Sequence, residues 1–193
     1  MNLNKIIEIK FQKEKDQIKE LISNINLNSL DNFNKLVKLS LRRLKKKNKI
    51  LFYGNGGSAA DAQHLATELT VRFKKNRKAI PALSLSTDTS ALTAIGNDFG
   101  FNKIFSRQID ALGLPGDIAI AISTSGNSQN LIHAAKMARK KKIFTFCFSG
   151  NNGGKLRNYT DYPILIPSKV TSQIQVIEIF LGQIYCNILE DYI

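Results

Sequence analysis

From residue 49 onward, short unbroken apolar runs alternate with stretches of helical periodicity, and no other feature limits the possible folds as much. The runs are KILFYG (49–54), ALSLS (82–86), DIAIAIS (117–123), IFTFCFSG (143–150) and YPILIP (162–167). Helical stretches follow at 58–73, 88–112, 128–142 and 171–193, with only a short segment between the last two runs. Runs that are apolar at every position read as strands buried on both faces, and intervening helices return the chain for parallel pairing. The pattern predicts an α/β fold, a three-layer sandwich around a five-stranded parallel sheet.

Residues 1–48 follow a different grammar. Two apolar stripes at helical spacing flank a polar break, SNINLNSLDN. The first holds Ile6, Ile7, Phe11, Ile18, Leu21 and Ile22; the second holds Leu30, Phe33, Leu36, Val37, Leu41 and Leu44. Asp31 or Ser29 is expected near the start of the second helix. This segment is expected to belong to the same domain, as an added layer or an oligomer interface, with 49–193 forming the ligand-binding part.

At 193 residues the chain can bury a proper core without staples or metals. No apolar run approaches the length that spans a membrane, and the first twenty residues lack the apolar block of a signal peptide, so a cytoplasmic protein is expected. Cys147 and Cys186 show no metal-site spacing. The net charge of +13 would attract anions, but its densest runs, 42–47 and 140–142, sit where helices should end and complement the helix dipole. Nucleic acid is not expected as a partner, whereas a phosphorylated small molecule suits the charge.

In parallel sheets, ligands bind beyond the carboxyl ends of the strands. DIAIAIS runs directly into Thr124, Ser125, Gly126, Asn127 and Ser128, so four hydroxyls (Ser123, Thr124, Ser125, Ser128) and a glycine surround a helix start. One such hydroxyl is expected of any N-cap, but four suit a phosphate, which accepts from hydroxyls and from unpaired helix amides. The lysine and spacing of a nucleotide P-loop are absent, which favours a small phosphorylated molecule over ATP.

KILFYGNGGS is a second strand entering a glycine turn and then a helix. Gly56 and Gly57 permit close ligand approach, while Asn55 and Ser58 offer polar side chains. His64 and Glu68 follow at i, i+4 on one helix face. That spacing alone admits a surface pair, a metal chelate or a general base.

Four stretches together, GNGGSAADAQHLATEL, TAIGNDFGFNKIFSRQI, ISTSGNS and TSQIQVIEIFLGQIYC, resemble the bacterial phosphoheptose isomerases of the SIS-domain class over essentially the whole chain. The resemblance implies a flavodoxin-like SIS fold and a homotetramer with active sites shared between subunits. It implies isomerisation of sedoheptulose 7-phosphate to D-glycero-D-manno-heptose 7-phosphate, towards lipopolysaccharide heptose. It assigns the phosphate to Ser123, Thr124, Ser125 and Ser128. Asn55, Gly56, Gly57 and Ser58 would line the sugar, with Asn97 and Asp98 at its hydroxyls. Glu68 would be the acid–base carboxylate.

The resemblance also implies zinc, held by His64, Glu68, Gln175 and a C-terminal histidine. Here the chain departs. Where the family reads TxRIQ-x-x-H-x-x-x-G-H, the last position is Gln183. An amide exchanges no proton near neutral pH and is a poorer zinc donor than imidazole. Gln175 and Gln183 differ by about 80° in helix azimuth, so both are expected to face one ligand. Glu178 is expected to be a solvated helix residue, with compensation for the lost histidine as the lesser reading, and His133 a surface or packing residue. Two other functions share these features: an isomerase of another sugar phosphate, and a catalytically impaired tetrameric binding protein of the replication-initiator-associating type.

Overall fold

The computed structural model describes residues 2–25 and 30–193, so Ser29 lies outside the described residues. Two helices, α1 (Leu3–Asn24) and α2 (Asp31–Leu44), precede the sheet. Five strands follow: β1 (Ile50–Gly54), β2 (Ala82–Ser84), β3 (Ile118–Ser123), β4 (Phe144–Gly150) and β5 (Tyr162–Ile166). They pair in the order β2-β1-β3-β4-β5, all parallel. The remaining helices are α3 (Gly57–Thr70), α4 (Thr89–Phe99), α5 (Ile104–Leu112), α6 (Gln129–Lys140) and α7 (Thr171–Tyr192).

Strand alternation divides the core. Ile50, Phe52, Ile120 and Phe146 face one side, against Leu36 of α2, Leu65 and Leu69 of α3 and Ile177 of α7. Leu51, Tyr53, Ala119 and Ala121 face the other, against Phe105 and Ile109 of α5 and Ala134 of α6. Three layers result, as the apolar runs predict. Two local expectations need correction. ALSLS contributes only three strand residues, because Leu85 already turns away while its amide bonds Phe52 O. The helix expected over 88–112 is broken at Gly100, whose φ of +84° an L-residue rarely adopts, so α4 and α5 are separate.

The N-terminal segment is helical, as expected, but its two stripes differ in burial. On α2, Phe33, Leu36 and Leu44 are buried, and Ser40 shares a 2.6 Å hydrogen bond with Tyr185 of α7. On α1 only Leu21 is buried, while Ile7, Phe11 and Ile22 are exposed.

Helices α3 and α7 lie side by side and run in the same direction. Gln175 stands against Gly57, where an added Cβ would meet its Nε2 at 2.3 Å. Further along, Gly182 gives room to Leu65, Cys186 Sγ points to the Leu65 carbonyl, and Glu190 accepts the Phe73, Lys74 and Lys75 amides at 2.7–3.0 Å. Burial alone would raise the Glu190 carboxyl, but these amides and Arg77 outweigh it and hold it below the usual range. This register fixes the height of every functional side chain on the two helices.

Candidate active site

The strand order reverses direction between β1 and β3, and the loops leaving these two strands flank that switch point. After β1, Gly56 takes φ +54° and turns Asn55 into α3. Gly54 has no room for a side chain, since a Cβ would sit 2.6 Å from the Ser58 carbonyl. Ser58 is accordingly buried in the first turn of α3. The Asn55 amide does not hang free. It forms a reciprocal pair with buried Asn130 of α6 at 3.0 and 2.8 Å, joining the two loops. Nothing in the sequence marked Asn130 beyond its place in the first turn after the serine loop.

The loop after β3 is braced from behind. Gly126 has φ +63°, and a Cβ there would lie 2.0 Å from the Gly153 carbonyl. Leu156 donates to Gly126 O at 2.8 Å, Lys155 N donates to Asn127 Oδ1, and Ser149 Oγ donates to Ser123 O at 2.6 Å. Ser123 and Ser125 spend their oxygens on the Gly126 and Asn127 amides. Ser128 stands at the N-cap of α6, yet its side chain makes no capping hydrogen bond. Its hydroxyl is therefore uncommitted at a helix start, where an anion is favoured. A cavity of about 230 Å³ opens beside the preceding residues of the loop, lined by Thr124, Ser125, Asn127, Ser168 and Lys169 among others, with Ser128 outside its lining. Lys169 brings a cation that sequence reading had not singled out. A larger open cleft, about 650 Å³, lies by the starts of β4 and β5, away from both loops.

The expected residues divide into two groups by height. Asn55, Gly56, Gly57, Ser58, the serine loop and Gln175 lie at the carboxyl end of the sheet. His64, Glu68 and Gln183 lie lower. His64 Nε2 and Glu68 Oε1 are 2.9 Å apart, with side chains 47% and 20% exposed. Glu68 is eleven residues along α3 from Gly57, a rise of about 16 Å. Just beyond it Thr70 donates to the carbonyl of Ala82, the first residue of β2, at the opposite edge of the sheet. Arg77 holds that end of α3, donating to Glu68 O and Leu69 O at 2.8 Å.

The geometry bears on three expectations. Gln175 and Gln183 lie within about 80° of each other around α7, but eight residues of helix separate them by about 12 Å, so one chain does not bring both to one ligand. Asn97 and Asp98 stand on the exposed end of α4 and bond each other at 2.8 Å. Among the described residues neither hydrogen-bonds to a loop of the site. Glu178, expected in solvent, is 1% exposed with both carboxyl oxygens unpartnered. Burial, then the charge of Asp61, pushes its carboxyl up to about 8, against the Ser123 backbone amide.

The residues also bear on zinc. His64 and Glu68 are two good donors, and among the described residues no group of three His, Cys, Asp or Glu side chains gathers to hold an ion. Gln175 and Gln183 offer only amide oxygens, at different heights. This set does not fit a closed zinc site within one chain. The chemistry available without a metal is anion binding at the upper loops and proton transfer at the His64–Glu68 pair.

A family model described as SIS domain matches residues 15–150. The phosphoheptose isomerase of Aquifex aeolicus is 52% identical over 150 residues, 78% of each chain. Among solved structures, phosphoheptose isomerase GmhA from Neisseria gonorrhoeae superposes with a TM-score of 0.87 at 38% identity, covering 98% of this chain and all of that one. A phosphoheptose isomerase from Francisella tularensis gives 0.89 at 30% identity, covering 99% and 100%.

Proposed function

The chain belongs to the phosphoheptose isomerase family of SIS-domain proteins, and we propose that it interconverts sedoheptulose 7-phosphate and D-glycero-D-manno-heptose 7-phosphate. It is a sugar-phosphate isomerase, and supply of heptose for lipopolysaccharide is the corresponding role. The observation that carries the reading is the uncommitted helix start at Ser128, beside the Lys169-lined cavity and across the switch point from the Asn55 turn.

The phosphate sits on the 123–128 loop, receiving the free α6 amides and the hydroxyls of Thr124 and Ser128, with Lys169 as counter-charge. The Glu68 carboxylate takes a proton from C1 of the ketose, leaving an enediol, and returns it to C2. Meanwhile the hydroxyl proton passes from O1 to O2. Gln183 exchanges no proton, so His64, the imidazole hydrogen-bonded to Glu68, is the group available for that transfer. Nothing in this sequence of steps requires a metal.

The two groups of residues meet between subunits. A seven-carbon sugar phosphate spans roughly 10 Å from phosphorus to C1, which is less than the rise of about 16 Å between Gly57 and Glu68 of one chain. Glu68 of one copy therefore serves the phosphate loop of another, in the homotetramer implied by the family. The uncovered apolar side of α1, with Ile7 and Phe11, supplies contact surface for that assembly. The binding-protein alternative is not favoured, because a pure binding protein has no need of the His64–Glu68 pair.

The test is turnover of sedoheptulose 7-phosphate by the purified protein, beside Glu68→Gln and Gln183→His. Activity that falls 10²–10⁴-fold in Glu68→Gln, with unchanged Tm, supports the assignment. No native activity, with a gain in Gln183→His, would reject catalysis by this chain while leaving the pocket intact.

A further inference from the structure

Glu178 is a buried carboxyl without a hydrogen-bond partner, and the mechanism above does not use it. It lies one turn along α7 from Gln175, hence just below the Gly57 turn. The groups that face it come from two elements, Asp61 on α3 and the Ser123 backbone amide at the end of β3, while Cys147 of β4 lies on the other face of the sheet. No lysine or arginine is among the influences on it. Ser123 is also the first residue of the serine loop. Glu178 thus lies in the buried layer behind the first residue of the loop where the phosphate is to bind.

A carboxyl in such a place has two states with different consequences. Protonated, it is neutral and leaves the loop's amides and hydroxyls free to act on an anion. Ionised, it places a negative charge behind those amides, in a layer that water screens poorly. We propose that Glu178 is a positioning residue that sets the affinity of the 123–128 loop for phosphate, permitting tight binding while it holds a proton and opposing it once ionised. The inference rests on this loop being the phosphate site. Thermodynamic reciprocity adds a second consequence, that a bound phosphate promotes protonation of Glu178. Its raised carboxyl, at about 8, places the change just above neutral pH.

Binding is measured by calorimetry for inorganic phosphate and for sedoheptulose 7-phosphate, from pH 6.5 to 9.5, with the wild type, Glu178→Gln and Glu178→Met. The amide keeps the shape of the protonated acid, and the thioether keeps its volume if the amide fails to fold. Wild type and variant should agree at pH 6.5. By pH 9.5 the wild type should bind on the order of tenfold more weakly than the variant. At pH 8 the wild type should also take up more protons on binding than the variant, read from the dependence of the enthalpy on buffer.

Parallel pH curves for wild type and variant would overturn the inference, because a packing role shifts affinity equally at every pH. Absence of extra proton uptake by the wild type would overturn it too. Binding needs no turnover, so divergent curves in a protein that does not isomerise would keep this inference and sink only the catalytic one. If neither ligand binds at any pH, the phosphate site itself is wrong and both fall.

Discussion

The side-chain amides of Asn55 and Asn130 donate to each other across the β1–β3 switch point, and Asn130 is buried. Asn55 was expected to line the sugar, but here its amide ties the glycine turn to the serine loop. Asn130→Ala should cost about 1–3 kcal/mol, since it leaves a partly buried amide unpaired. The loops lose their common brace, so KM for the sugar phosphate should rise more than kcat falls. Denaturant unfolding together with steady-state kinetics checks both. A variant with native stability and native KM would show that the pair is incidental.

Gly57 and Gly126 should respond differently to alanine. At Gly57 the new Cβ meets the end of a flexible side chain, Gln175 Nε2, which can swing away. Stability should change by less than about 1 kcal/mol, while activity falls because Gln175 is displaced. At Gly126 the Cβ meets the Gly153 carbonyl, and φ is +63°. Neither the backbone nor the dihedral yields cheaply, so Gly126→Ala should lose about 2 kcal/mol or more and much of its phosphate binding. Thermal melts beside phosphate titrations separate the two cases.

How far the sequence could be read follows from these contacts. Strands were legible because a strand buried on both faces must be apolar throughout, as IAIAIS is. The serine loop was legible because hydroxyls crowd a helix start. Glu178 was not, since a charged residue on a helix reads as solvated unless one knows that α7 turns that face onto α3 and β3. Gln175 and Gln183 misled for a related reason. Azimuth can be computed from spacing, but height becomes decisive only once α7 is seen beside α3, with Gln175 at Gly57 and Gly182 at Leu65. The break at Gly100 was hidden because helical periodicity resumes after it.

The stability of the folded chain should fall between about pH 4.5 and 8 through Glu178. Its ordinary value is 4.5 and its folded value about 8, raised first by burial and then by Asp61. Between these values the folded chain holds a proton that the unfolded chain has released. The protonated form's contribution is therefore complete below 4.5 and lost as pH rises through 8. Glu178→Gln should remove this slope and be the more stable protein at pH 8.5, by a few kcal/mol. Urea denaturation of both proteins at pH 5, 7 and 8.5 measures it. Equal slopes would mean that the carboxyl finds a partner in solution.

If each site takes Glu68 from one subunit and its phosphate loop from another, two inactive variants should rescue each other. Glu68→Gln lacks the base, and a loop variant such as Ser125→Pro lacks the phosphate site. Random mixing by joint refolding leaves about a quarter of shared sites with an intact base and an intact loop. Activity should therefore return to roughly that fraction of wild type, whereas each variant alone stays at background. Sites built within one chain would give no rescue at any mixing ratio, because every chain carries one of the two lesions. The rise of about 16 Å from Gly57 to Glu68 predicts rescue, and the mixed assembly decides it with no need for an independent measure of oligomeric state.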